Sequence, residues 1–204
     1  MTTRSNSSRE RILATAEAII LENGFAGTTI EDIIEKAAIT KSGFFYHFAG
    51  KAELARALID RYIDMDTTVF LEISERADRL SEDPLQRALI FLNLFAEMVG
   101  GMTDVHPGCL AAAFTYESQQ FDTVIRRRIE DGMLSWRQMI VQRLNDIVGK
   151  YPPRMPVDVE SLADMFTSCV EGGIILAKAY DDNQALINQV HNYRNHLRMI
   201  FDAA

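Results

Sequence analysis

Apolar side chains recur at intervals of three and four along almost the whole of this chain. Ile12, Leu13, Ala16, Ile19 and Ile20 share one helical face until Asn23-Gly24 breaks the run, and Ile30, Ile33, Ile34 and Ala37 make a second, shorter stripe. Longer amphipathic stretches follow from Lys51 to about Asp78, Pro84 to about Val99, Phe121 to about Gly149, Val157 to about Tyr180 and Asn183 to about Phe201. Gly100-Gly101, His106-Pro107-Gly108 and the loop from Gly149 to Pro156 punctuate them. A period near 3.6 cannot keep one face of a strand apolar, and no segment alternates with period two. The spacing therefore predicts an all-α fold of about nine helices, with no repeat or low-complexity tract.

Capping residues sharpen the boundaries. Ser7 with Glu10, and Thr28 with Glu31, each have the spacing of a capping box, in which side chains at the helix start satisfy main-chain N–H groups. Thr40 is the next expected cap, opening a third helix of about two turns, and Pro84 suits a first helical position.

The totals narrow the class of protein. Of 204 residues, 48% are hydrophobic and 25% charged, the balance of a globular chain with a sizeable core. Asn93 and Glu97 interrupt the most apolar stretch, Ala88 to Val99, short of the roughly 18 residues that cross a bilayer. The start, MTTRSNSSRE, lacks the apolar core of a signal peptide, so the expected location is cytoplasmic. Two cysteines, Cys109 and Cys169, do not make a disulfide framework. The net charge of -8 argues against coating nucleic acid by charge alone. Residues 1–60 nevertheless carry 7 basic against 8 acidic groups while the remainder carries 14 against 21. That asymmetry suggests two jobs, divided as residues 1–50 and 51–204.

Residues 39–51, ITKSGFFYHFAGK, contain two lysines, a histidine and four aromatic rings but no carboxylate. Two short helices, Thr28 to Ala37 and Lys41 to His47, joined by Ala38-Ile39-Thr40, have the dimensions of a helix-turn-helix whose second helix enters the DNA major groove. Phe44 and Phe48, four apart, would anchor that helix on Ile30, Ile34 and Leu54. Thr40, Lys41, Ser42 and Gly43 would lead into the groove, where main-chain N–H groups and the positive helix end favour phosphate. Tyr46, His47 and Lys51 would reach backbone phosphates. The alternative for such a segment is an aromatic-rich core helix, and for Lys51 a solvated helix start.

Thr28-Thr29-Ile30, Ala37, Thr40-Lys41, Phe44, His47-Phe48, Lys51 and Leu54 resemble the N-terminal domain of the tetracycline-repressor (TetR) family, across about 50 residues and three consecutive elements. The resemblance implies an N-terminal three-helix DNA-binding domain and a C-terminal helical ligand-binding and dimerisation domain. It implies a homodimeric regulator, usually a repressor, that leaves double-stranded operator DNA when a small molecule binds. Its DNA-contacting set would be Thr28, Thr29, Thr40, Lys41, Ser42, Gly43, Phe45, Tyr46, His47 and Lys51. Phe45 stands where the family usually has tyrosine, with Tyr46 beside it on a different face. Ala38 stands where the turn usually has glycine, so a left-handed backbone there would cost about 1 kcal/mol.

On the last helix Leu186, Val190, Tyr193, Leu197 and Ile200 form a seam at spacings of four and three, and Leu162, Phe166, Gly173 and Ala177 make a similar stripe on the helix before. Gly172-Gly173 invites close helix approach. By the resemblance, Leu162, Phe166, Gly173, Ala177, Val190, Tyr193, Leu197 and Ile200 would form the dimer's four-helix bundle; packing within one chain is the alternative.

Phe91, Phe95, Met98, Met102, Phe114, Tyr116, Met133, Trp136, Met139 and Phe166 are candidates to surround an apolar or aromatic effector, with Glu117, Gln120, Arg137 and Glu171 to orient it; ordinary core is the alternative for each. Cys109, after Pro107-Gly108, is expected to open a helix, where a thiol either becomes reactive towards a ligand or packs as a small apolar group. His106 with Cys109 lacks the second ligand pair of a metal site, and His191 and His196 point from different helix faces. No nucleophile–base pair, metal quartet or phosphate loop supports an enzyme, so neither catalysis, metal nor cofactor is expected. The rival readings are an all-α enzyme or small-molecule carrier, and a helix-turn-helix subunit that contacts only proteins.

Overall fold

The computed structural model of the protein describes residues 2–201. Among them nine α-helices follow one another: α1 (Thr2–Asn23), α2 (Ile30–Lys36), α3 (Lys41–His47), α4 (Lys51–Leu80), α5 (Pro84–Gly100), α6 (Leu110–Tyr116), α7 (Thr123–Lys150), α8 (Val159–Tyr180) and α9 (Gln184–Phe201). One 3-10 turn, Ser118–Gln120, lies between α6 and α7, and no strand occurs among the described residues. No described helix is long and apolar enough to cross a membrane.

Two helix starts differ from the expected ones. The first helix begins upstream of Ser7, so Ser7 is interior, and the Glu10 carboxylate pairs with Arg61 at 2.6 Å instead of capping. At α2 the box forms one residue late. The Thr28 hydroxyl turns inward and donates to the Gly24 carbonyl at 2.7 Å, leaving Thr29 to accept from Asp32 N–H while Asp32 accepts from Thr29 N–H. Elsewhere the caps fall as composition suggests: Thr40 accepts from Gly43 N–H at 3.0 Å, and Asp83 before Pro84 accepts from Gln86 N–H at 2.9 Å. The turn between α2 and α3 puts Ala38 at φ 50°, the left-handed conformation that a glycine would adopt without strain.

The chain packs as two compact units. One comprises residues through Met65 together with Cys109–Asp131, and the other comprises Asp66–Gly108 and Gly132 onward. Packing thus groups α6 and the start of α7 with the N-terminal helices. The first unit buries Ile12, Leu13, Ala16, Ile20, Ile33, Phe44, Phe48, Leu54 and Leu58. Phe25 meets Phe114 edge-on at 5.4 Å, and Phe114 stacks on Phe121 at 4.4 Å.

In the second unit α8 and α9 form a hairpin, turned by Asp181 at φ 56°, and α9 also packs on α5. The expected dimer residues Leu162, Phe166, Gly173, Ala177, Val190, Tyr193, Leu197 and Ile200 are all buried within the single chain. Their burial fits the alternative reading of these stripes, packing within one chain. A Cβ on Gly173 would lie 2.7 Å from Leu186 Cδ1 and 2.9 Å from its Cα, which is why glycine is needed there; Gly172 meets nothing within 4 Å. Tyr193 donates to the Leu162 carbonyl at 3.0 Å, and burial raises its phenol pKa.

Candidate nucleic-acid interface

The third helix divides its residues sharply. Phe44 and Phe48 are buried, with ring centroids 5.8 Å apart, whereas Phe45 is 45% and Tyr46 78% exposed. Thr29, Thr40, Lys41 and Ser42 are exposed, and Gly43 and His47 half-buried. Two large aromatic side chains left in solvent beside a capped helix start form a surface with donors, acceptors and apolar edges. The Thr40 and Ser42 hydroxyls lie 3.1 Å apart. Lys41 reaches Glu31 at 3.3 Å, but both side chains are 69% exposed, so the pair contributes little and is easily exchanged for a phosphate.

Thr28 does not belong to that surface, because its side chain is buried and committed to Gly24. Lys51 is also placed differently from expectation. Its ammonium donates to the Phe25 carbonyl and lies 4.2 Å from the Phe25 ring centroid. Burial lowers its pKa, opposed by the nearby Glu117 and Asp32 carboxylates. Lys51 is thus first a strut for the α1–α2 turn.

Glu117 completes that strut, accepting from the N–H groups of Phe25 at 2.6 Å and Ala26 at 2.7 Å. Gly24 has φ 77°, and a Cβ there would come 2.8 Å from the Glu117 carboxylate. The turn therefore needs glycine for conformation and for room. Three expected effector residues accordingly have structural tasks in the first unit: Glu117 holds the turn, Phe114 fills the aromatic cluster, and the buried Cys109 caps α6 by accepting from Ala112 N–H at 3.4 Å. Phe166 in the second unit is likewise core, near Phe91, Phe95 and Tyr193. Met98 and Met102 are exposed, and Trp136 and Glu171 half-buried.

The family model described as "Bacterial regulatory proteins, tetR family" matches residues 12–58, and that described as "Tetracyclin repressor-like, C-terminal domain" matches residues 84–192. The chain belongs to the TetR family. Its relatives include the probable HTH-type transcriptional regulator ArpR of Pseudomonas putida, 26% identical over 93% of this chain and 89% of that protein. The HTH-type transcriptional repressor KstR2 of Mycobacterium tuberculosis is 28% identical over 76% and 74%. The fold matches a TetR transcriptional regulator from Chloroflexus aurantiacus with a TM-score of 0.78, at 23% identity over 98% of this chain and 99% of that one.

This TetR-family chain also has features that sequence reasoning missed. The Glu117–Phe25 tie joins residues 92 apart and leaves no local pattern. A cleft of about 500 Å³ in the second unit involves Ser74, Arg87 and Asp146, none of them expected at a site. Of the expected effector residues Met139 lines this cleft, and Arg87, isolated three residues after Pro84 in an apolar helix, is a further local signal.

Proposed function

We propose that the protein is a homodimeric repressor that leaves a pseudo-palindromic operator when a small molecule enters its C-terminal portion. Ligand-responsive repression is typical of its family. The observation carrying the reading is the two-sided α3, with Phe44 and Phe48 anchored while Thr40, Lys41, Ser42, Phe45 and Tyr46 face solvent. Residues 1–50 do the DNA binding, in a cytoplasmic setting, and catalysis is no part of the role. Thr29, Thr40 and Ser42 offer hydroxyls to phosphate, Gly43 permits close approach, and Lys41 and His47 supply charge and donors. Phe45 cannot donate a phosphate hydrogen bond, and Tyr46 supplies the exposed hydroxyl of this helix.

Two recognition helices must sit about 34 Å apart to read successive major grooves, so a rigid pairing of copies is required. The outward faces of α8 and α9 supply it. Ile175 is 57% and Met199 65% exposed, and Ser168, Gly172 and Ala179 share the Ile175 face at helical spacing.

The test is a mobility shift with fragments of the DNA upstream of the protein's own coding sequence. A retarded species with two chains per fragment, on a site with two-fold symmetry, is expected. Indifference to every fragment at low salt would sink the assignment.

A further inference from the structure

The cleft of about 500 Å³ in the second unit lies between the C-terminal half of α4, the start of α5 and the second half of α7. Its ionic groups are unevenly satisfied. Arg143 spends both guanidinium arms on Asp78, at 2.9 and 3.2 Å, and its head lies 5.4 Å from the Phe91 ring centroid. Arg87 has no such partner. Its nearest carboxylates, Asp78 and Asp146, are both 4.0 Å away, beyond hydrogen-bonding distance, and its fork makes no hydrogen bond to the described residues. Ser74 lines the same cleft at 7% exposure, and its hydroxyl has no hydrogen-bond partner among the described residues. Two donors thus lack acceptors at one place.

The opposite deficit lies beside them. Besides Arg87 at 4.0 Å, Asp146 has a 3.4 Å hydrogen bond from Gln142, and Glu75 has a 3.7 Å pairing with Arg79. Phe70, Leu71 and Met139 give the cleft an apolar wall. A planar carboxylate matches the open Arg87 fork. A monoanion alone, however, would meet a lining in which three carboxylates outnumber two arginines. A monocation alone would answer Asp146 and Glu75 but leave Arg87 and Ser74 unpaired.

We propose that this cleft binds a small zwitterion with an apolar body, of which an apolar α-amino acid is the simplest case. The carboxylate sits on Arg87 with Ser74 donating to it, the ammonium faces Asp146 and Glu75, and the side chain lies on Phe70 and Met139. The inference deepens the reading that the second unit takes a small molecule, and calorimetry on the full chain without DNA tests it apart from operator binding.

Three probes share one apolar body: L-phenylalanine, 3-phenylpropionate, which lacks the ammonium, and phenethylamine, which lacks the carboxylate. L-leucine varies the body. Phenylalanine or leucine is expected to bind at least about tenfold more tightly than either single-charge analogue. Arg87→Gln should bring phenylalanine down to the level of phenethylamine, with Ser74→Ala weakening it severalfold. Arg87→Lys, which keeps the charge and loses the fork, serves if the glutamine variant does not fold, and should also weaken binding. Equal binding by either analogue, unchanged phenylalanine affinity in a folded Arg87 variant, or no binding by either amino acid at about 10 mM would overturn the proposal. Binding in the expected ranking supports the site whether or not the DNA complex changes.

Discussion

The carboxylate of Glu117 accepts hydrogen bonds from the main chain of Phe25 and its neighbour Ala26, across 92 residues of sequence. These are the N–H groups of the turn that leads into the helix-turn-helix, and no local side chain satisfies them. Hydrogen bonds to a charged acceptor contribute about 1.5–3 kcal/mol each when buried, less where exposed. Glu117→Ala is expected to destabilise the protein by about 2 kcal/mol and to speed amide exchange at Phe25 and Ala26. Glu117→Gln, keeping one acceptor oxygen, should lose less. Unchanged exchange at those two amides would remove Glu117 from this role.

Lys41 and Lys51 should respond differently to salt. Lys41 is exposed, so Lys41→Ala is expected to weaken operator binding and reduce the slope of log affinity against log salt by about 1. Lys51 is engaged with the carbonyl and ring of Phe25, so Lys51→Ala should cost about 1 kcal/mol of stability and leave the slope nearly unchanged. Binding titrations at several salt concentrations, with denaturation curves for both variants, separate the two roles.

Ala38 at φ 50° carries a penalty that glycine lacks. Replacing it also frees the unfolded chain, offsetting about 0.5–1 kcal/mol of the gain. Ala38→Gly should therefore stabilise by up to about 1 kcal/mol, read as a higher denaturation midpoint with helix content unchanged.

Asp83 gives a pH-dependent term. Burial opposes its charge, but hydrogen bonds from Lys150, Tyr151 and Gln86 N–H outweigh that and hold its pKa at about 2, below the ordinary 3.8. The charged form is favoured in the folded state, so its stabilisation is complete above the unfolded pKa and is lost as pH falls through about 2. Asp83→Asn retains a good cap but not the charge. Its deficit relative to the natural protein should be greatest near neutrality and close between pH 4 and pH 2, measured by urea denaturation across that range. A deficit independent of pH would exclude the ionised pairing as its source.

If copies pair through the outward faces of α8 and α9, Ile175→Glu should yield monomers by sedimentation with helix content preserved. Val190→Glu, which buries a carboxylate in the seam within the chain, should instead cost several kcal/mol and lose cooperative unfolding. Retention of dimers by Ile175→Glu would place the pairing surface elsewhere.

The helices were legible because apolar periodicity and caps are local. Pro84 begins α5 and Lys51 begins α4 as expected, and the separation of buried Phe44 and Phe48 from Thr40-Lys41-Ser42 follows from a spacing of four. One cap moved by one residue because Thr28 and Thr29 are alike in sequence and differ only in which hydroxyl the Gly24 turn draws inward. The seam on α9 was legible as a seam, but its partner was not. An apolar stripe specifies burial, and a helix of the same chain buries it as well as a second copy would.

Local order set the helices, their caps and the two faces of α3, since each depends on residues within about five positions of one another. Only the tertiary structure decided that Glu117 and Lys51 serve Phe25, that Gly173 admits Leu186, and that Arg87 and Ser74 share one cleft with unmet donors. Those relationships join side chains far apart in the sequence, and no local periodicity records which distant group will satisfy a given donor or fill a given space.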